Sequence, residues 1–430
     1  MPETVNRLTR AMARIFAWFA DRGWGHWIIV VIILALSSAA SPLIYEEFNL
    51  DRARYWLFQT LIEFSPRPIE PTNVNVVLIG DDEFWLGELS GRRPVKRSYL
   101  AKIVRALDSE SVNASVIALD FDLRLPKPNA TGAPSHFDEM QADYLPETNE
   151  LIDAIRTAAV RRSIVLAKSI WWDGEGGYKL EPDVYQLYGL CLGLDEHSRW
   201  QNPGTSELPV SPQAQQNISC GYIALPFDMQ LIPGRLPVAG GKHLDSFALA
   251  VARAFKPALP PEVGASISYG SYIRQSKLDE HTVIVAAKDL IARKPEVIKR
   301  LQHQAVIVGG HWSGLAYGRG RHVDTYSTPV GPLVGAVIHE NFAEAFLDKR
   351  VYPAIPHWVV HTLEIMFGLT AAIVFALMPH LGAGAVALAA LSGVLVFLQW
   401  SMLQIFGVFF DAFVPLVALW LHTCLERVLD

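Results

Sequence analysis

Four aspartates stand in two close pairs, Asp81 with Asp82 and Asp120 with Asp122, each just after a short apolar run. Carboxylates this close together can bind a hard cation through their oxygens, or divide the roles of general acid and base between them. A third apolar run, residues 305–308, is followed by His311, Asp324 and Thr328, which add an imidazole, another carboxylate and a hydroxyl. If all three runs are parallel strands of one sheet, these residues gather at its C-terminal edge, where open α/β sheets bind ligands. The competing reading is local: an aspartate after a strand often caps the next turn, and no fixed metal-binding spacing such as His-Glu-x-x-His occurs. The pair Gly309-Gly310 reads as a tight turn ending the third strand rather than as a phosphate loop.

Other groups could also do chemistry. His357, His361 and Glu364 lie four and three residues apart, so one helical face would carry all three. That face could hold a transition metal or relay protons, or simply meet water and lipid headgroups. Cys191 and Cys220 are candidates for a disulfide in an oxidising compartment, while Cys424 lies in an apolar segment. No cofactor is specified by any of these patterns.

The elements that must position these residues follow from composition. The 430 residues are 51% hydrophobic with a mean hydropathy of +0.22, high for a soluble protein. The excess is confined to residues 23–45, 356–378, 381–400 and 404–425, each near the ~20 residues a membrane-spanning helix needs. Before the first of them, residues 1–22 form a basic amphipathic helix with Arg7, Arg10 and Arg14 on one face. Those arginines place the N-terminus in the cytoplasm, which puts residues 46–355 outside and residues 426–430 back inside. A net charge of −6 gives no case for nucleic acid.

Within residues 46–355 short apolar strands at 74–79, 116–119 and 164–167 alternate with helices at 98–107 and 147–159. Short links of this kind predict a mostly parallel sheet with helices on both faces. Residues 171–240 read as an irregular insertion carrying a strand at 221–225. A helix at 244–255, a strand at 281–286, the buried strand at 305–308 and a helix with an apolar stripe through Val337, Ile338, Phe342, Ala345 and Phe346 complete the domain. Ala385, Ala389 and Gly393 form a small-residue stripe that would let another helix approach closely.

Several segments together carry a family resemblance. Val76-Val77-Leu78-Ile79-Gly80-Asp81-Asp82, Arg93-Pro94-Val95-Lys96-Arg97, Val116-Ile117-Ala118-Leu119-Asp120-Phe121-Asp122, Val306-Ile307-Val308-Gly309-Gly310, Asp324, Thr328-Pro329 and Gly335-Ala336-Val337-Ile338-His339-Glu340-Asn341 occur in the order seen in CHASE sensory domains of the second type. The chain resembles that family over about residues 46–350. Arg92-Arg93-Pro94 stands where the family usually has a tryptophan–proline pair. The resemblance implies an extracytoplasmic sensory domain, and it adds His339 and Asn341 to the candidate ligand-binding residues.

Because only residues 425–430 follow Cys424, the expected output passes through a separate protein rather than an attached kinase or cyclase. The first expectation is therefore a multi-pass sensor or receptor subunit of a bacterial inner membrane, in contact with lipid and with an output protein or further copies of itself. The alternatives are a membrane-anchored scaffold and a metal-dependent hydrolase built on Asp81, Asp82, Asp120, Asp122 and His311.

Overall fold

The computed structural model describes residues 28–38, 57, 60–61, 73–123, 136–172, 178–180, 214, 216–225, 231–238, 242–259, 268–271, 284–328, 331–348, 351–353, 357–377, 381–406 and 413–429. The chain divides into two compact units, one made of Met1–Leu61 with Ile355–Asp430 and the other of Ile62–Ala354.

In the second unit six strands form one parallel sheet: β1 (Val74–Gly80), β2 (Val116–Leu119), β3 (Ser163–Lys168), β4 (Ile218–Tyr222), β5 (Ile284–Ala286) and β6 (Ala305–His311). Their order is β5-β1-β6-β2-β3-β4, so β6 fills the slot between β1 and β2. The connecting helices are α1 (Arg97–Asp108), α2 (His136–Ala159), α3 (Phe247–Phe255), α4 (Ala287–Ile291), α5 (Pro295–Leu301) and α6 (Gly335–Leu347). Side chains alternate across the sheet. Val77, Ile79, Ile117, Leu119, Val306 and Val308 pack under α1, α2, α4 and α5. Val76, Leu78, Val116, Ala118, Ala305 and Ile307 pack under α3 and α6. Both faces are covered, which is why these strands read as unbroken apolar runs. The α/β architecture inferred from the alternation of elements is the one observed.

Four local expectations are corrected. Gly309 and Gly310 do not end the strand; they pair in register with Leu78 and Ile79. Their lack of a side chain serves packing, since a Cβ on Gly309 would lie 2.5 Å from that of Ala336 on α6. The helix placed at 244–255 starts at Phe247, because the hydroxyl of Ser246 accepts a hydrogen bond from Leu249 N and caps it, while Leu244 belongs to the strand Lys242–Asp245. The described residues of the insertion and its flanks include regular strands. Ile170–Trp172, Tyr178–Leu180, Arg235–Val238 and Lys242–Asp245 make a small four-stranded sheet. Finally, Glu340 and Glu344 are buried although they lie off the apolar stripe of α6. The carboxylate of Glu344 accepts from the backbone N–H groups of Asn73 and Val74, where β1 begins.

In the other unit the helices are Ile28–Ser38, α7 (His357–Leu377), α8 (Leu381–Phe406) and α9 (Phe413–Leu429). They share an apolar core through Val30, Leu34, Phe375, Leu391, Leu395 and Leu416. Among the described residues one helix, Gly382–Leu403, is long and apolar enough to cross a membrane; Ile28–Ser38, Thr362–Phe375 and Phe413–His422 are shorter apolar helices. The expected break at 401–403 is absent, since Ser401, Met402 and Leu403 offer nothing to stop a helix and α8 runs on to Phe406. Ala385, Ala389 and Gly393 are exposed on α8, which packs through Ala387, Leu391 and Leu395 instead.

Candidate functional site

The C-terminal edge of the sheet carries three separate groups of polar side chains. The period of two along a strand separates them. On β1 the positions of Val77 and Ile79 lead to Asp81 on the α1 side, whereas on β2 those of Val116 and Ala118 lead to Asp120 on the α6 side. The two aspartate pairs therefore do not converge. Among the described residues no three of His, Cys, Asp and Glu could together hold a metal ion.

The first group fixes a loop. Asp81 accepts hydrogen bonds from Ser313 N (2.5 Å), Ser313 Oγ (2.6 Å) and Gly318 N (3.3 Å), with His322 Nε2 at 3.8 Å. Desolvation pushes its carboxyl up, but the bonds from Ser313 and Gly318, aided by His322, hold it below the usual carboxylate range. The residues it grips form a tight hairpin, with Ser313 bridged to His322 and Ala316 to Arg319. Asp82 is exposed, paired with Lys288 Nζ at 2.7 Å and accepting from the Tyr317 hydroxyl at 2.8 Å. The ring of His311 lies 4.2 Å from that of His322, and burial followed by this neighbour lowers its pKa. The carboxylates of Asp81 and Asp82 thus anchor distant segments, and Asp81 makes no side-chain cap to the helical turn Asp82–Leu86 that follows it.

In the second group the side chains of Asp120 and His339 are buried, while Asp324 lies at the surface beside them. Asp120, its side chain 6% exposed, places Oδ1 3.9 Å from Nε2 of His339, and its Oδ2 finds no partner among the described residues. Asp324 is near both the Tyr326 hydroxyl and the start of α6, where Gly335 N bonds to it. A Cβ on Gly335 would overlap the Asp324 carboxylate. Burial, then the neighbouring Asp324, pushes Asp120 well above the ordinary carboxylate value. Burial likewise raises Asp324 to about 6 against the opposing bonds from Tyr326 and Gly335. His339, buried beside Phe247, is lowered to about 3 by desolvation and is neutral. Of the other candidates, Asn341 is buried on α6 away from solvent, and Thr328 pairs with Gly331 in the hairpin β7 (Thr325–Thr328) and β8 (Gly331–Val334), its side chain lying outside the described residues.

These shifts oppose each other. An acid whose pKa is raised by folding contributes stability that is present below about pH 4 and lost as pH rises through about 6. A histidine depressed to about 3 contributes in the other direction, losing stability as pH falls from about 6.5. The parent protein is expected to show a shallow profile between pH 4 and 7. Asp324→Asn removes one raised carboxyl and the charge that helps raise Asp120, so the histidine is opposed less and the melting temperature should climb with pH more steeply than that of the parent; thermal denaturation across that range checks this, and a parallel shift at all pH values would contradict it.

The third group surrounds a cavity of about 260 Å³. Its apolar wall consists of Pro94, Val95, Leu100, Phe121, Leu123 and Trp312, and its polar groups are Arg93, Arg97 and Asp122. Trp312 stacks on Phe84 with ring centres 4.2 Å apart and planes 7° from parallel, which immobilises that wall. Arg97, 2% exposed, donates to Thr148 Oγ1 (2.6 Å) and to the Leu123 carbonyl. Arg93 donates to the Gly314 carbonyl and lies over the rings of Phe84 and Trp85. Asp122 is exposed and accepts from Ser169 Oγ at 3.1 Å. Of this group, sequence reasoning singled out Asp122. The segment Arg93-Pro94-Val95-Lys96-Arg97 carried the missing signal, because an arginine and a proline directly before a helix, and the arginine that opens it, lie at the strand ends.

Outside this domain, Glu364 accepts a hydrogen bond from Ser38 Oγ, joining α7 to Ile28–Ser38, while the side chains of His357 and His361 lie outside the described residues. Cys220 is disulfide-bonded and Cys424 is free; Cys191 lies outside the described residues.

Neither a curated protein nor a solved structure matches the chain. The model of the CHASE2 domain, an extracellular sensory domain family, matches residues 27–378, from the start of the first apolar helix through the parallel sheet to the end of α7, and the chain belongs to the CHASE2 family.

Proposed function

We propose that this protein is a multi-pass membrane sensor whose domain of residues 62–354 lies outside the cytoplasm and binds a small ligand at the C-terminal edge of its sheet. The observation that supports this most directly is the cavity of about 260 Å³ walled by Trp312 and Phe121, at the position where open α/β sheets take ligands. The family supplies the sensory role, and the apolar helices on either side of the domain supply the anchor. Ligand binding shifts the domain between two arrangements, and the helices pass that shift to an output protein. The three cysteines leave Cys191 as the proposed partner of Cys220, a bond suited to a periplasmic domain.

Two measurements test the reading. Single cysteines introduced at exposed positions such as Arg319 should react with a membrane-impermeant thiol reagent in intact inner-membrane spheroplasts, and labelling only after lysis would place the domain inside. Cross-linking of the full chain in its native membrane should capture a stoichiometric second protein. A second reading, a scaffold, is favoured by the exposed stripe of Ala385, Ala389 and Gly393 on α8. Capture of further copies of this chain alone would favour it.

A further inference from the structure

We infer that the cavity beside Trp312 takes a small organic anion with a flat apolar body, an aromatic or similarly compact carboxylate; this rests on the ligand-binding reading above and specifies its chemistry. The size sets the first limit. About 260 Å³ admits a single ring with a short substituent and excludes a nucleotide or a peptide. The walls set the second. Trp312 and Phe121 offer aromatic surface, and Pro94, Val95, Leu100 and Leu123 offer aliphatic surface, so most of the occupant must be apolar.

Charge sets the third limit. Two guanidinium groups border the cavity against one carboxylate, Asp122. The nearby Arg92 and Glu147 form their own pair at 2.5 Å, and Glu147 also accepts from Arg97 N at the start of α1, so that pair leaves the local balance positive. Both bordering arginines are held in place rather than free in solvent, Arg97 by Thr148 and Leu123, Arg93 by Gly314 and two aromatic rings. The indole N–H of Trp312 is buried and has no acceptor among the described residues. The few polar groups at this apolar site are therefore mainly fixed donors, which selects an occupant that brings acceptor oxygens and negative charge. A carboxylate satisfies this through paired bonds to a guanidinium, while the ring lies on Trp312.

The experiment uses the full chain in lipid nanodiscs and three probes of nearly equal shape: phenylacetate, phenylacetamide and phenethylammonium. Phenylacetate should raise the melting temperature and bind at least tenfold more tightly by calorimetry than the other two. Arg93→Gln, at an exposed position, should weaken phenylacetate about tenfold and leave the neutral amide unchanged, the unchanged amide showing that the fold is intact. Val95→Trp, which fills the cavity, should abolish binding of all three. Equal binding of the three probes, or preference for the cation, would overturn the anion assignment while leaving a ligand-binding cavity in place. Failure of all three to bind at millimolar concentration would overturn the assignment too, whereas the sensor reading is decided separately by thiol labelling and cross-linking.

Discussion

Gly221→Val is expected to destroy the folded sensory domain. Gly221 lies on β4 in register with Ala167, and the start of α3 crosses directly over it. A Cβ there would lie 2.7 Å from Phe247 N, 2.8 Å from the Ser246 carbonyl oxygen and closer still to Phe247 Cα. All three are backbone atoms at a capped helix N-terminus, so no side-chain rotation can make room. Overpacking of this kind costs about 3 kcal/mol or more, a large part of a typical domain's stability. Gly80→Ala is the matched control, because nothing lies within 4 Å of the added atom. Thermal melts of both variants should show Gly80→Ala close to the parent and Gly221→Val without a cooperative transition. Similar melts for the two would mean that α3 does not sit on β4 as described.

Glu344→Ala should be nearly as damaging for a different reason. Glu344 is 1% exposed on α6, and its carboxylate receives the backbone N–H groups of Asn73 and Val74. Removing it strands at least one buried backbone donor at the start of the strand next to β6. A lost charged acceptor with an unsatisfied buried donor costs about 3 kcal/mol, whereas Glu344→Gln keeps an acceptor oxygen and should cost about 1 kcal/mol. Denaturant unfolding of the three proteins checks the order, and equal loss for Ala and Gln would show that charge rather than hydrogen bonding matters at this point.

Much of the fold was legible in sequence because parallel strands covered on both faces are uniformly apolar. Residues 116–119 and the buried run from 305 stand out for that reason. What the sequence hid is order. Nothing local reveals that β6 inserts between β1 and β2, and the slot explains why Gly309 and Gly310 continue a strand that they seemed to end. The candidate site was legible in part. The aspartates do lie at one edge, yet the alternation of side chains sends Asp81 to the hairpin and Asp120 into the interior. His339 was reached through family resemblance, and its neutral, buried state follows only from the packing of α6 against β1, β6 and Phe247 of α3. Arg93, Arg97 and Trp312 escaped because no spacing rule links a segment before a helix to an aromatic residue that follows a strand more than two hundred positions later.

The place of β6 also governs how the domain is made. Val74 pairs with Ala305, and Val116 pairs with the same residue from the other side. During synthesis β1 and β2 emerge early, each with an open edge facing an empty slot, and the strand that joins them arrives only after most of the domain. Pairings this distant in sequence fold slowly, and open edges invite mispairing while they wait. Chain elongation therefore dictates a period of vulnerability, and slowing translation before residue 305 should lengthen it.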